Sequence, residues 1–286
     1  MYSIVRFVGI MGTIFFVCAP STHAATSVSP NITGSWAGSA MGTDYKNQDN
    51  GTGGTTPFSE KVAGTATASI TQTGNDLIFT VTITASSKGG TPDTFTIPFT
   101  GKVGDFAFWS TGAGPDTAQQ VFASGHFDKK PSKITGNMIF YRDNNLANFA
   151  YTLKKTSSTP TVRAAPVYAF PDAGTRGDNV PVNIVGSSTG KTFDFSTSAK
   201  AVTVKSTVNG TINPDNTATI TVVTGSNSET FNETEIGGGK GFVETGTGGS
   251  DNLLLFGVKT GSGGAGIGWI YNDGGMTEFK WSVTKQ

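Results

Sequence analysis

One stretch of this chain occurs twice. Residues 136–155 read GNMIFYRDNNLANFAYTLKK, and residues 266–285 read GIGWIYNDGGMTEFKWSVTK. Laid over each other without a gap, the two share a glycine, a tyrosine, an aspartate, a phenylalanine and a lysine. Elsewhere apolar meets apolar: Ile139 with Trp269, Leu146 with Met276, Tyr151 with Trp281, Leu153 with Val283. Each copy has the chemistry of a β-hairpin. The returning arm alternates, with Ala147, Phe149, Tyr151 and Leu153 on one face and polar or small residues on the other. Asp143-Asn144-Asn145 and Asp273-Gly274-Gly275 supply residue types that tolerate positive φ in a tight turn. A repeat of this kind outranks any local motif as a fold signal. It predicts two tandem β domains of common ancestry, each ending in this hairpin.

The remaining pattern agrees. Leu77, Phe79, Val81 and Ile83 alternate with Ile78, Thr80, Thr82 and Thr84, and Phe95, Ile97 and Phe99 alternate with threonines. Helical periodicity is almost absent. The chain is therefore expected to be all-β, as two antiparallel barrel-like or sandwich domains. Domain 1 spans residues 31–155 and domain 2 spans 182–286. Residues 156–181 hold Pro160, Pro166, Pro171 and Pro181 and read as a linker. The Gly-, Thr- and Asn-rich residues 43–65 read as a long loop.

Residues 1–24 carry Arg6, an apolar run over 7–19 and the small-residue site Thr22-His23-Ala24, the pattern of a cleaved signal peptide. That predicts a secreted or periplasmic protein. The single cysteine, Cys18, falls inside this leader, so the mature chain is expected to lack disulfides, which suits a bacterial envelope. The apolar run is too short for a spanning helix, so no transmembrane segment is expected in the mature chain. With 20 basic and 20 acidic residues and no basic stripe, nucleic acid is excluded as a partner.

Residues 182–192, VNIVGSSTGKT, imitate a phosphate-binding loop. The glycine such a loop needs at position 185 is Val185, and the following Phe193-Asp194-Phe195 alternates as a strand. The segment is better explained as the opening strand of domain 2. Ile184-Val185-Gly186-Ser187 then lies over Ile32-Thr33-Gly34-Ser35, with Ser188 in the place of Trp36. The mature chain keeps one histidine, His126, expected to be a surface or structural residue, which argues against triads and zinc sites. Glu233 and Glu235 share a strand face, the one carboxylate pair with hydrolytic spacing, but such pairs are commonly just solvated. No catalytic residue, metal site or cofactor is expected.

Gly34-Ser35-Trp36 on the first strand, several hairpin-linked strands and a closing hairpin resemble the lipocalin-like (calycin) barrels, chiefly over residues 31–155. The resemblance implies that Trp36 closes the barrel base against a basic residue of the last strand, Lys154 or Lys155. It also implies a bore for one small ligand. Fifteen aromatics in domain 1 against nine in domain 2 direct the binding expectation to domain 1. The expected ligand-binding residues are Trp36, Phe106, Phe108, Phe149 and Tyr151, with Tyr45 in the loop as a lid contact. The leading functional expectation is thus an exported, non-enzymatic binder of a small apolar molecule or a glycan. The alternatives are a structural surface or matrix protein that self-associates through Thr/Gly-rich sheets, and a pore-forming protein with residues 201–230 as its amphipathic hairpin.

Overall fold

A computed structural model of the chain describes residues 30–49, 55–113, 120–142, 145–161, 181–197, 199–215, 217–238 and 240–286. The leader and most of the proline-rich connector lie outside the described residues. Sixteen strands form two closed barrels. The first contains β1 (Gly34–Asp49), β2 (Thr55–Thr73), β3 (Asp76–Ser87), β4 (Asp93–Val103), β5 (Ala107–Ala113), β6 (Gln120–Phe127), β7 (Lys133–Arg142) and β8 (Asn145–Ser157). The second contains β9 (Val182–Asp194), β10 (Val202–Ile212), β11 (Thr217–Thr224), β12 (Asn227–Gly238), β13 (Gly241–Gly248), β14 (Asp251–Thr260), β15 (Gly263–Asn272) and β16 (Gly275–Lys285). Each barrel is an antiparallel meander closed by pairing between its first and last strands. The chain is therefore all-β with two tandem eight-stranded barrels, as its alternation predicts.

Tight turns demand their glycines here in the ordinary way. Gly74, between β2 and β3, has φ near +60° with open space where a Cβ would stand, so its role is conformational. In the second copy of the repeated hairpin the turn is closed by Asn272 Oδ1, which accepts a 2.7 Å hydrogen bond from Gly274 N. Residues 143 and 144 of the first copy lie outside the described residues.

Two further expectations are corrected by register. Residues 43–65 are for the most part not a loop: β1 and β2 stay paired as far as Asp49 with Thr55. Thr, Gly and Asn there mark a solvated two-stranded extension. The opening strands also align differently from their sequence match. Gly38 stands opposite Leu153, and Gly186 stands opposite Val283, the residue equivalent to Leu153 in the repeat. Gly42 opposite Phe149 likewise matches Gly190 opposite Phe279. Gly186 is thus the counterpart of Gly38, not of Gly34; Ile184 answers to Trp36, and Ser188 to Ala40.

Three apolar clusters follow. One fills the first barrel, with Trp36, Phe79, Phe95, Phe99, Phe108, Phe127, Phe140, Phe149 and Tyr151 among its members. A smaller one lies in the second barrel, with only four aromatics: Phe231, Phe242, Phe279 and Trp281. The third is built by both barrels together, with Trp109, Phe122, Ile139 and Leu146 from the first and Phe193, Phe195, Leu254, Phe256 and Trp269 from the second. These residues sit on the outer faces of their strands, at positions a free barrel would give to water. Burying them makes the two barrels one packed body.

Candidate functional site

The expected site residues are dispersed by the fold. Trp36, Phe108, Phe149 and Tyr151 are buried in the first barrel's core. The Phe79 ring lies 5.4 Å from Phe99, 5.5 Å from Phe108 and 6.4 Å from Tyr151, and Phe140 meets Phe149 edge-on at 5.5 Å. Tyr151 Oη donates 2.7 Å to Ser124 O, so its polar end is already used. Phe106 precedes β5 and does not share the inward face of Phe108; it packs against the inter-barrel cluster. Tyr45 is on strand β1 rather than a lid, and its ring lies 5.8 Å from Phe256 of the second barrel. Trp109, next to Phe108 but in the inter-barrel cluster, donates 2.8 Å to Asn272 O across the barrel contact.

Among the described residues, open space occurs in the second barrel. A cavity of about 320 Å³ sits at the end where β10, β12, β14 and β16 begin. Ser188 and Thr192 of β9 point inward and are buried, as the alternation of that strand requires. Thr192 Oγ1 and Thr277 Oγ1 are 2.9 Å apart, and Ser206 Oγ and Thr224 Oγ1 are 2.6 Å apart. Val222, Ile270 and Phe279 supply the apolar part of the lining. The cavity therefore offers paired hydroxyls beside an aromatic and aliphatic wall.

Acidic groups line the same bore. Glu229 borders the cavity, and burial, reinforced by the charge of neighbouring Asp251, lifts its carboxyl to about 7. Burial also raises Asp251, which accepts 2.5 Å from Asn272 Nδ2. On the next part of β12, Glu233 is buried, and desolvation together with Glu244 pushes its carboxyl far above the carboxylate range. The described partner of Glu233 is thus Glu244 on β13; the side chain of Glu235 lies outside the described residues. A carboxyl that titrates near neutrality can donate or accept a hydrogen bond, which suits recognition of hydroxyl groups. No set of three metal-ligating side chains occurs among the described residues.

A second polar knot joins the barrels. Glu278 Oε2 accepts 2.8 Å from Trp269 Nε1 and 3.1 Å from Ser124 Oγ, and lies 3.2 Å from His126 Nε2. Burial would raise the Glu278 carboxyl, but the hydrogen bond and charge of His126, with Trp269 and Ser124, hold it below its ordinary value. His126 is on β6, a docking residue. Lys191 is on the continuous strand β9 opposite Thr203 and Glu278, so no helix follows the imitation phosphate loop.

The fold and cavity define a class: a two-barrel protein with one filled barrel and one barrel open at its mouth. No protein-family profile matches the chain, and no curated protein matches. Among solved structures it is similar to a DUF3598-family protein of unknown function from Nostoc punctiforme, at 10% identity over 89% of this chain and 96% of that one, with a TM-score of 0.31. It is also similar to a Trp-176-Ala mutant of transferrin-binding protein B from Haemophilus parasuis, at 10% identity over 90% and 78%, with a TM-score of 0.29. A Rh. blastica porin follows at 7% identity over 88% and 99%, with a TM-score of 0.19. Likenesses this distant carry no argument about function.

The aromatic-rich barrel and the cavity part company for a physical reason: large rings pack into the first barrel's core, and the cavity described above is lined by Ser and Thr of the second. The inter-barrel contact had a usable signal. Leu253-Leu254-Leu255-Phe256 is apolar at every position and is buried on both faces, as a half-wetted strand would not be.

Proposed function

We propose that this is an exported, non-enzymatic binding protein whose ligand is a small polyhydroxylated molecule of saccharide type, held in the mouth of the second barrel. One observation carries the reading: the roughly 320 Å³ cavity that combines the Thr192–Thr277 and Ser206–Thr224 hydroxyl pairs with Glu229 and the Phe279 wall. Sugars present hydroxyl edges and apolar C–H faces, so they use both kinds of lining at once. The volume suits one or two sugar units and is small for a long lipid. Export is supported by the leader-like residues 1–24.

Isothermal titration with neutral mono- and disaccharides tests the reading. One of them is expected to bind wild type, with affinity about tenfold weaker in Glu229→Gln or Thr277→Val, since a lost hydrogen bond to a charged or buried partner costs ~1–3 kcal/mol. Binding of none of them, or affinity indifferent to both substitutions, would remove the saccharide reading.

A further inference from the structure

A larger space lies outside both bores. Where the barrels meet, a cleft of about 820 Å³ runs between the outer face of β9, β15 and β16 and, on the first barrel, Phe106 and the end of β6. Its apolar lining includes Phe106, Phe193 and Ile267, and Lys191, Lys200 and Lys280 border it as exposed cations. Lys129 adds a fourth, 5.9 Å from the centre of the Phe106 ring. Two acids are present, and they do not balance these charges. Glu278 is already engaged by Trp269, Ser124 and His126, and Asp128 is a single exposed carboxylate.

We infer that this cleft binds an anionic amphiphile, a carboxylate or sulfate head carried on an apolar body. The head would lie among Lys191, Lys200 and Lys280, and the body against Phe106, Phe193 and Ile267. Charge complementarity selects the sign of the head, because three exposed lysines border one apolar floor. The apolar floor selects an amphiphile over a simple anion, which the lysines alone would hold only weakly. The lysines come from three separate stretches of the second barrel, while Phe106 comes from the first. The site therefore exists only when the barrels are docked.

The occupant to which the cleft is matched is a free, monomeric amphiphile. Decanoate below its micelle concentration is the probe, followed by titration calorimetry on the full chain, with decanol and decyltrimethylammonium as neutral and cationic counterparts. Decanoate is expected to bind more tightly than either. The triple variant Lys191→Gln/Lys200→Gln/Lys280→Gln is expected to lose about tenfold in decanoate affinity, with its near-ultraviolet circular dichroism unchanged. Phe106→Ser, which removes floor without removing charge, is expected to weaken decanoate and decanol alike. Because the cleft and the bore share Thr203 and Phe279 in their linings, Glu229→Gln serves as the control; it acts inside the bore and should leave decanoate affinity unaltered. Equal affinity for the three head groups, undiminished decanoate binding in the folded triple variant, or sedimentation with phosphatidylglycerol vesicles in the absence of monomer binding would overturn the inference.

Discussion

Lys155 Nζ lies 5.5 Å from the centre of the Trp36 ring. The indole is buried and donates 3.1 Å from Nε1 to Ile32 O, so the lysine caps a ring already fixed at the barrel end. Lysine over indole attracts the ring's negative face, and the same stem covers apolar surface. This is the arrangement that resemblance to the lipocalin-like barrels implied for Lys154 or Lys155. Lys155→Gln is expected to cost ~0.5–1 kcal/mol in urea unfolding, whereas Lys154→Gln, on the exposed face, should cost nothing measurable.

Tyr151 is part of the first barrel's core, with its hydroxyl bonded to Ser124 O. Tyr151→Phe removes the buried 2.7 Å hydrogen bond to Ser124 O and should cost ~0.5–1.5 kcal/mol. Phe149→Ala opens a cavity in the same core and should cost ~3–5 kcal/mol. Denaturant unfolding measures both. Neither change should alter saccharide affinity at a temperature where the variant is folded.

Two carboxyls give opposite pH signatures. Glu278 is held below the ordinary glutamate value of 4.5, so its stabilisation is present above that value and is lost as pH falls through the folded-state value. Glu229 is raised to about 7, so its share of stability is full below 4.5 and is lost as pH rises through about 7. Melting curves should therefore show Glu278→Gln approaching wild type at acid pH. Relative to wild type, Glu229→Gln should gain between pH 4.5 and 7 and hold that gain above it. Parallel curves for either variant would contradict the assignment.

Docking of the barrels depends on a close approach at Gly104. A Cβ there would stand 2.4 Å from the Phe195 ring, on the strand end that also receives 3.2 Å from Asn75 Nδ2 at Phe195 O. Gly104→Val should loosen the contact, expose Trp109 and Trp269, and red-shift tryptophan emission. Cleavage within residues 156–181, which the sequence predicts to be a linker, should leave two halves that co-elute on gel filtration in wild type and separate in Gly104→Val.

How much of this was legible in the chain differs by level. The strands were, because burial on one face imposes a period of two, and Leu77–Ile83 and Phe149–Leu153 display it openly. The closing hairpin was, because both copies repeat it. The register of the opening strands was not: Ile-x-Gly-Ser recurs at 32–35 and 184–187, but pairing with the last strand sets Gly186 against Gly38. Local identity carries less energy than a whole ladder of backbone bonds. The contact between barrels needs Glu278, His126 and Ser124 brought together from distant positions, and no spacing announces that. The hollow in the second barrel is legible only as a deficit of rings, a quantity that points the other way when aromatics are taken as ligand contacts.

The central claim, that the second barrel's mouth is where ligand binds, is tested most directly by amide chemical-shift mapping of the full chain during a saccharide titration. The account predicts shifts concentrated at Ser188, Thr192, Ser206, Thr224 and Thr277, saturating with one dissociation constant, while Phe79, Phe149 and Tyr151 stay still. Shifts centred on the first barrel's interior, with the second barrel's mouth unmoved, would contradict it.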